Sequence, residues 1–271
     1  MPDQLDGAPV AAEPTGAPGE ALDDPRSGAL VAVAAVVAAG LVVLSAFAGP
    51  WVTALAVAVA GLVLGWGWPD VLDLPSPRGT SGVLGATALA LAAAAAVTTD
   101  DPLLRWVPAA VGAGVLLTFV HQLARRDGRP RLVATVAGTL TAVALLAGGT
   151  GFVGLARVHH GAAVAAVALV GVAAGPALDR ACGPEGLRAW LLPLELVLGA
   201  GLAVLLGWWL GLPWGIALLL GVVCTGLAHA LRRVLVPLPS LASARPQLTT
   251  GVASVLLVGV VAYLVCRTLV G

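Results

Sequence analysis

Nine long apolar runs, each close to the length that crosses a lipid bilayer, follow one another with only short polar breaks between them. A bilayer core takes about 20 apolar residues per helix, within a range of about 17–25. Backbone N–H and C=O groups find no water in that core, so a spanning run must satisfy them internally, as a helix. The runs are 28–48, 51–68, 82–99, 104–124, 132–152, 160–178, 189–209, 213–231 and 249–269. The second and third are short, and the glycines between Gly148 and Gly154 blur the end of the fifth. One marginal run lying in the interface would lower the count to eight. The expected fold is an all-α, polytopic transmembrane helix bundle of about nine spans.

Only 10% of the residues are charged, against about 25% in a soluble domain, and 59% are hydrophobic, with mean hydropathy +0.99. A soluble fold of this length would lack the side chains to cover its own surface. The formal net charge is zero, so bulk charge points to no nucleic-acid partner. Residues 1–27 differ from the rest. They hold Asp3, Asp6, Glu13, Glu20, Asp23 and Asp24 with five prolines and one arginine, the composition of a disordered acidic tail. The chain therefore divides into a tail, 1–27, and a transmembrane domain, 28–271.

Arginine placement gives an orientation, because cytoplasmic loops are enriched in basic residues. With the N-terminus inside, the inner segments hold Arg26, Arg78, Arg125, Arg126, Arg129, Arg131, Arg180, Arg188, Arg232, Arg233 and Arg245. The outer segments hold Arg105, Arg157 and Arg267. The expected arrangement is a multi-pass protein of the cytoplasmic membrane with its C-terminus outside. The eight tryptophans fall near span ends, where an aromatic belt lies. Ala46-Phe47-Ala48 has the small residues of a signal-peptide cleavage site, but the preceding tail is acidic and the apolar run long, which favours a retained anchor. Cys182, Cys224 and Cys266 match no metal or disulfide spacing and read as small buried hydrophobes.

Part of the chain repeats. Gly114–Arg126 aligns with Gly221–Arg233, and Arg129–Leu140 with Arg245–Leu256, giving eleven identities over twenty-five columns. Both copies would run from outside to inside and back, so spans 4–5 relate to spans 8–9 as a parallel helix-hairpin repeat. Helix-pair repeats occur in transporters, with the substrate site at the repeat interface. Shared membrane composition is the competing explanation.

Glu195 is the acid that lies well inside a span. A lone ionisable group in lipid is costly unless paired or neutralised. It can carry a proton or meet a cationic solute, or it can snorkel to the nearby inner surface. His121 and His229 lie near the inner ends of the repeat-related helices, each preceded by a threonine, Thr118 and Thr225. Together with Glu195 these residues form a candidate intramembrane polar site, the alternative being ordinary interfacial histidines. His159-His160 reads as a solvated outer turn. No metal site and no cofactor motif is present.

The loops Leu74-Pro-Ser-Pro-Arg-Gly-Thr80 and Arg125-Arg-Asp-Gly-Arg-Pro-Arg131 are the most distinctive polar strings. Arg78, Arg125, Arg126, Arg129 and Arg131 are candidate contacts for anionic lipid or phosphate. The orientation signal explains the same arginines without a ligand. The two strings resemble loops of uncharacterised actinobacterial polytopic integral membrane proteins, a likeness that implies no activity. Ser76-Pro77 and Thr80 are also similar to a loop of membrane phosphatidate cytidylyltransferases, whose paired Asp and Lys-Arg signature this chain lacks. Three functions stand open: a small-solute transporter or permease-like protein, a non-catalytic partner in a membrane or envelope complex or a homo-oligomer, and a membrane enzyme acting on lipid or envelope precursors at the inner leaflet.

Overall fold

The computed structural model describes residues 28–181 and 190–270. The acidic tail, Cys182 and Arg188 lie outside the described residues. Among those described, nine helices are long and apolar enough to cross a membrane, and no strand occurs. They are α1 (Ala29–Ala48), α2 (Pro50–Val71), α3 (Pro77–Val97), α4 (Val107–Ala124), α5 (Leu132–Leu155), α6 (Gly161–Ala181), α7 (Leu191–Trp209), α8 (Trp214–Leu235) and α9 (Ala244–Val265). A short 3-10 turn, Pro239–Ala242, precedes α9, and a π-turn, Cys266–Val270, follows it. This is a multi-pass helical membrane protein.

The two short runs are longer as helices. Pro77 occupies the first position of α3, where its missing N–H costs nothing and its fixed φ favours helix, so α3 begins five residues ahead of its apolar run. Likewise α2 continues through Pro69 to Val71. The glycine-rich end of the fifth run stays helical because α9 lies against it. A Cβ at Gly148 would fall 2.9 Å from the Leu256 carbonyl oxygen, and one at Gly151 would overlap the Gly259 carbonyl. Small residues let the two backbones approach in this way. This α5–α9 pair sits at the middle of the bundle, with α2 and α1 also packed on α9. α1 joins the core through Ala35, Val42 and their neighbours, and Gly251 of α9 accommodates the backbone of Val31.

Polar contacts identify which loops share an end. Arg131 donates to the carbonyl of Asp73 at 2.7 Å, Arg245 pairs with Asp70 at 2.7 Å, and Ser240 donates to the carbonyl of Val71. At the opposite end Arg267 pairs with Asp101 at 3.0 Å. The arginine-bearing loops after α2, α4 and α8 therefore gather at one end of the bundle. Seven tryptophans have exposed rings near helix ends, but Trp68 does not belong to such a belt. It is 1% exposed and its indole N–H donates to the Gly138 carbonyl at 2.8 Å. A buried indole needs that partner, so Trp68 ties α2 to α5.

A buried ionic cluster between three helices

Glu195 is the fifth residue of α7 and its side chain is fully buried. It does not snorkel. Helix α7 packs on α6 and α8, and the partners come from those helices. Arg232, in the last turn of α8, donates from Nη2 to Glu195 Oε2 at 2.5 Å and from Nε to Asp179 Oδ2 at 2.9 Å. Asp179 sits near the end of α6 and is partly exposed. His229 Nδ1 lies 3.0 Å from Glu195 Oε1. The two are within ion-pair distance but off the line of a hydrogen bond, and both atoms lack a hydrogen-bond partner.

The sequence builds this geometry simply. Thr225, His229 and Arg232 recur at intervals of four and three, which places them on one face of α8. That face meets glycines. A Cβ at Gly175 would lie 2.6 Å from Arg232 Nη2 and 2.7 Å from Glu195 Oε2, while one at Gly171 or Gly199 would overlap the Thr225 hydroxyl. Helices α6 and α7 thus lack side-chain bulk where α8 presents its polar stripe. Thr225 Oγ1 is buried and without a partner, one turn deeper than His229.

Counting formal charges, Asp179, Glu195 and Arg232 sum to −1 when His229 is neutral. One added proton, on His229 or on Glu195, brings the cluster to zero. Uncompensated charge in a low-dielectric interior is costly, so the cluster is a place where a single proton changes the electrostatics of three helices. Oxygen and nitrogen atoms of Asp179, Glu195 and His229 all lie within 4.8 Å of one another, a spacing compatible with a bound cation. The Arg232 guanidinium, however, donates to both carboxylates and already supplies the positive charge there.

The candidate site of the sequence is therefore brought together in part. Glu195, His229 and Thr225 converge. His121 and Thr118 do not join them, because α4 packs on α3 and α5 whereas α8 packs on α6, α7 and α9. His121 Nε2 lies 3.4 Å from Ser76 Oγ, over Gly79, and Thr118 donates to the Gly114 carbonyl. Of the loop arginines, Arg78, Arg126, Arg129 and Arg131 are exposed, with Arg131 engaged by Asp73. Arg125 is buried instead, donating to Gln122 and through Nε and Nη2 to Asp127, which removes it from the candidate lipid contacts. Sequence reasoning missed Arg232 and Asp179 as site residues. The orientation rule absorbed the arginine, and only its spacing from Thr225 and His229 marked it out.

Comparison with protein-family models, with curated proteins and with solved structures finds no match.

Proposed function

We propose that this chain is a small-solute, permease-like protein of the cytoplasmic membrane, N-terminus inside, in which the Glu195–His229–Arg232–Asp179 cluster couples protonation to movement of α6, α7 and α8. The observation that carries the reading is the full burial of Glu195 against Arg232 and His229. Ionisable groups inside membrane segments are expensive, face the bundle interior and mark proton relays or solute paths. A cluster that joins three helices through one guanidinium is suited to hold them closed in one protonation state and release them in another.

An internal repeat supports the reading. Gly114 of α4 faces Thr87 of α3, and the aligned Gly221 of α8 faces Ala203 of α7. The offset of 116 residues that pairs Arg129 with Arg245 also pairs Pro77 with Pro193 and Gly79 with Glu195, whereas Gly114 and Gly221 are 107 apart. Arg125 and Arg232 are aligned, and both are buried and bonded to carboxylates. We read α2–α5 and α6–α9 as two copies meeting at α5 and α9, with the charged cluster kept in the second copy. Where the second copy places Glu195 beside His229, the first places Gly79 beside His121.

A second reading is a non-catalytic partner in a membrane complex. It draws on the closed, internally paired packing around Glu195. The two are separated by reconstituting the purified chain in proteoliposomes and recording charge movement on solid-supported membranes during jumps of pH and of a panel of small solutes. The permease reading expects solute-dependent currents that Glu195→Gln abolishes. Silence across the panel, or currents indifferent to Glu195→Gln, would leave the partner reading.

A further inference from the structure

At the end opposite the arginine-rich loops, Pro50, Thr99, Asp101, Arg157, His159 and Arg267 line a cleft of about 530 Å³. Its polar groups come from the turns after α3 and α5 and from the last turn of the chain. Two guanidinium groups face one carboxylate here. Arg267 is held by Asp101. Arg157 has no such partner. Its Nη2 donates to the Ala96 carbonyl at 2.5 Å, and its Nε is buried with nothing to bond.

The contrast with other arginines is informative. Among the described residues Arg125 and Arg232 are buried and Arg157 is half-buried, while the other arginines are exposed. Arg125 is paired with Asp127, and Arg232 with Asp179 and Glu195. Arg157 alone of the three has no carboxylate, although its Nε is enclosed without a partner. Its bond to Ala96 caps one of the free carbonyls at the end of α3 but leaves the charge uncompensated. A planar fork of donors is matched by a planar or tetrahedral oxyanion. Thr99 supplies a hydroxyl and His159 an imidazole on the same cleft.

We propose that this cleft binds a small oxyanion, a carboxylate or a phosphate, with Arg157 as its principal ligand and Thr99, His159 and Arg267 around it. The oxyanion group comes either from a free solute or from a lipid headgroup reaching the cleft from the interface.

The test is equilibrium binding, which needs no transport activity. The full chain is placed in phosphatidylcholine nanodiscs and titrated with inorganic phosphate and with acetate at constant ionic strength, chloride serving as the control anion. Binding is read by calorimetry and by the fluorescence of Trp51 and Trp106, which flank the lining residues Pro50 and Leu103. Saturable binding of phosphate or acetate is expected, weakened at least tenfold in Arg157→Gln, partly restored in Arg157→Lys and unchanged in Gly201→Ala, whose added Cβ meets nothing within 4 Å. A parallel titration in nanodiscs containing phosphatidylglycerol assigns the source. Loss of binding there, with recovery as the anionic lipid is diluted, identifies a headgroup; unchanged binding identifies a free solute. His159→Gln provides a variant that leaves the Ala96 cap intact, and a severalfold weakening is expected. No saturable binding in phosphatidylcholine, or equal binding by wild type, Arg157→Gln and His159→Gln, overturns the proposal.

Discussion

Arg232 Nη2 lies 2.5 Å from Glu195 Oε2, in a part of the bundle where the carboxylate has no exposed surface at all. Glu195 depends on Arg232 for its compensating charge, whereas Arg232 has Asp179 as a second partner. Removing one partner of a buried pair is more harmful than removing both, because the survivor remains as an uncompensated buried charge. Asp179 still holds Arg232 when Glu195 is replaced, which softens the loss. Glu195→Gln is therefore expected to fold but to lose about 2–4 kcal/mol of stability. Arg232→Gln alone should cost more, because it strands the buried Glu195 carboxylate, and the double variant should cost less than the sum of the two single losses. Thermal unfolding of the two single variants and the double variant in one detergent checks this. Additive losses would show that the two residues do not act as a pair.

The packing of α5 on α9 predicts a sharp difference between glycines. At Gly151 an added Cβ meets the backbone of Gly259 and falls 2.7 Å from the Val260 nitrogen. Backbone cannot step aside as a side-chain tip can, so the helices must separate. Gly151→Ala is expected to cost at least the 1–3 kcal/mol typical of overpacking, roughly 3 kcal/mol or more. Gly201 on α7 has nothing within 4 Å of its would-be Cβ. Gly201→Ala should be neutral or slightly stabilising through helix propensity, by about 0.5–1 kcal/mol. Paired thermal melts of the two variants check both signs.

Asp127 ties the loop between α4 and α5. The Arg125 guanidinium, 2.6 Å away, holds its carboxyl below the usual carboxylate range, and the Arg129 backbone N–H adds to this. A lowered folded-state value means that the ionised form is favoured by folding. The stabilisation is complete above the ordinary carboxylate value of about 4 and is lost as pH falls through the lowered folded value. A spin label on Arg126→Cys should stay restrained from pH 7 to about 5 and become mobile only in stronger acid. Asp127→Asn should make it mobile throughout. A label whose mobility changes near neutrality would point to a different titrating group.

The elements were far more legible than the site. Nine runs became nine helices because lipid forces helix wherever an apolar run is long enough, and capping prolines such as Pro77 only moved the boundaries. Glu195 stood out for a related reason: a carboxylate in a span demands an explanation. Its partners were hidden. Arg232 lies at a helix end where an arginine is expected on orientation alone, and Asp179 lies near another such end. Gly171 and Gly175 were indistinguishable from the many other glycines of the chain until α8 was seen to press Thr225 and Arg232 against them. His121 misled in the opposite direction. Its alignment one column from His229 suggested a shared cavity, but α4 and α8 belong to different helix groups. An alignment of two segments pairs their positions in sequence and does not bring the residues together in space.

The contacts at the two ends of the bundle make the topology testable with few substitutions. Ser243, ahead of α9, shares its end with Asp70, Asp73 and Arg131 through Ser240 and Arg245. The start of α1 lies at that end too, since Gly251 sits against Val31. Thr268, beside Arg267, lies at the other end. Both Ser243 and Thr268 are exposed, whereas Cys224 and Cys266 are buried and should not compete for reagent once Cys182 is replaced by Ala. The orientation proposed above puts the arginine-rich Ser243 end on the cytoplasmic side. A membrane-impermeant maleimide applied to intact cells should label Thr268→Cys, and should label Ser243→Cys only after permeabilisation. The reverse pattern would keep the bundle and invert its orientation. Labelling of both positions from the same side would be incompatible with an odd number of crossings, because Ser243 and Thr268 are separated by the single span α9.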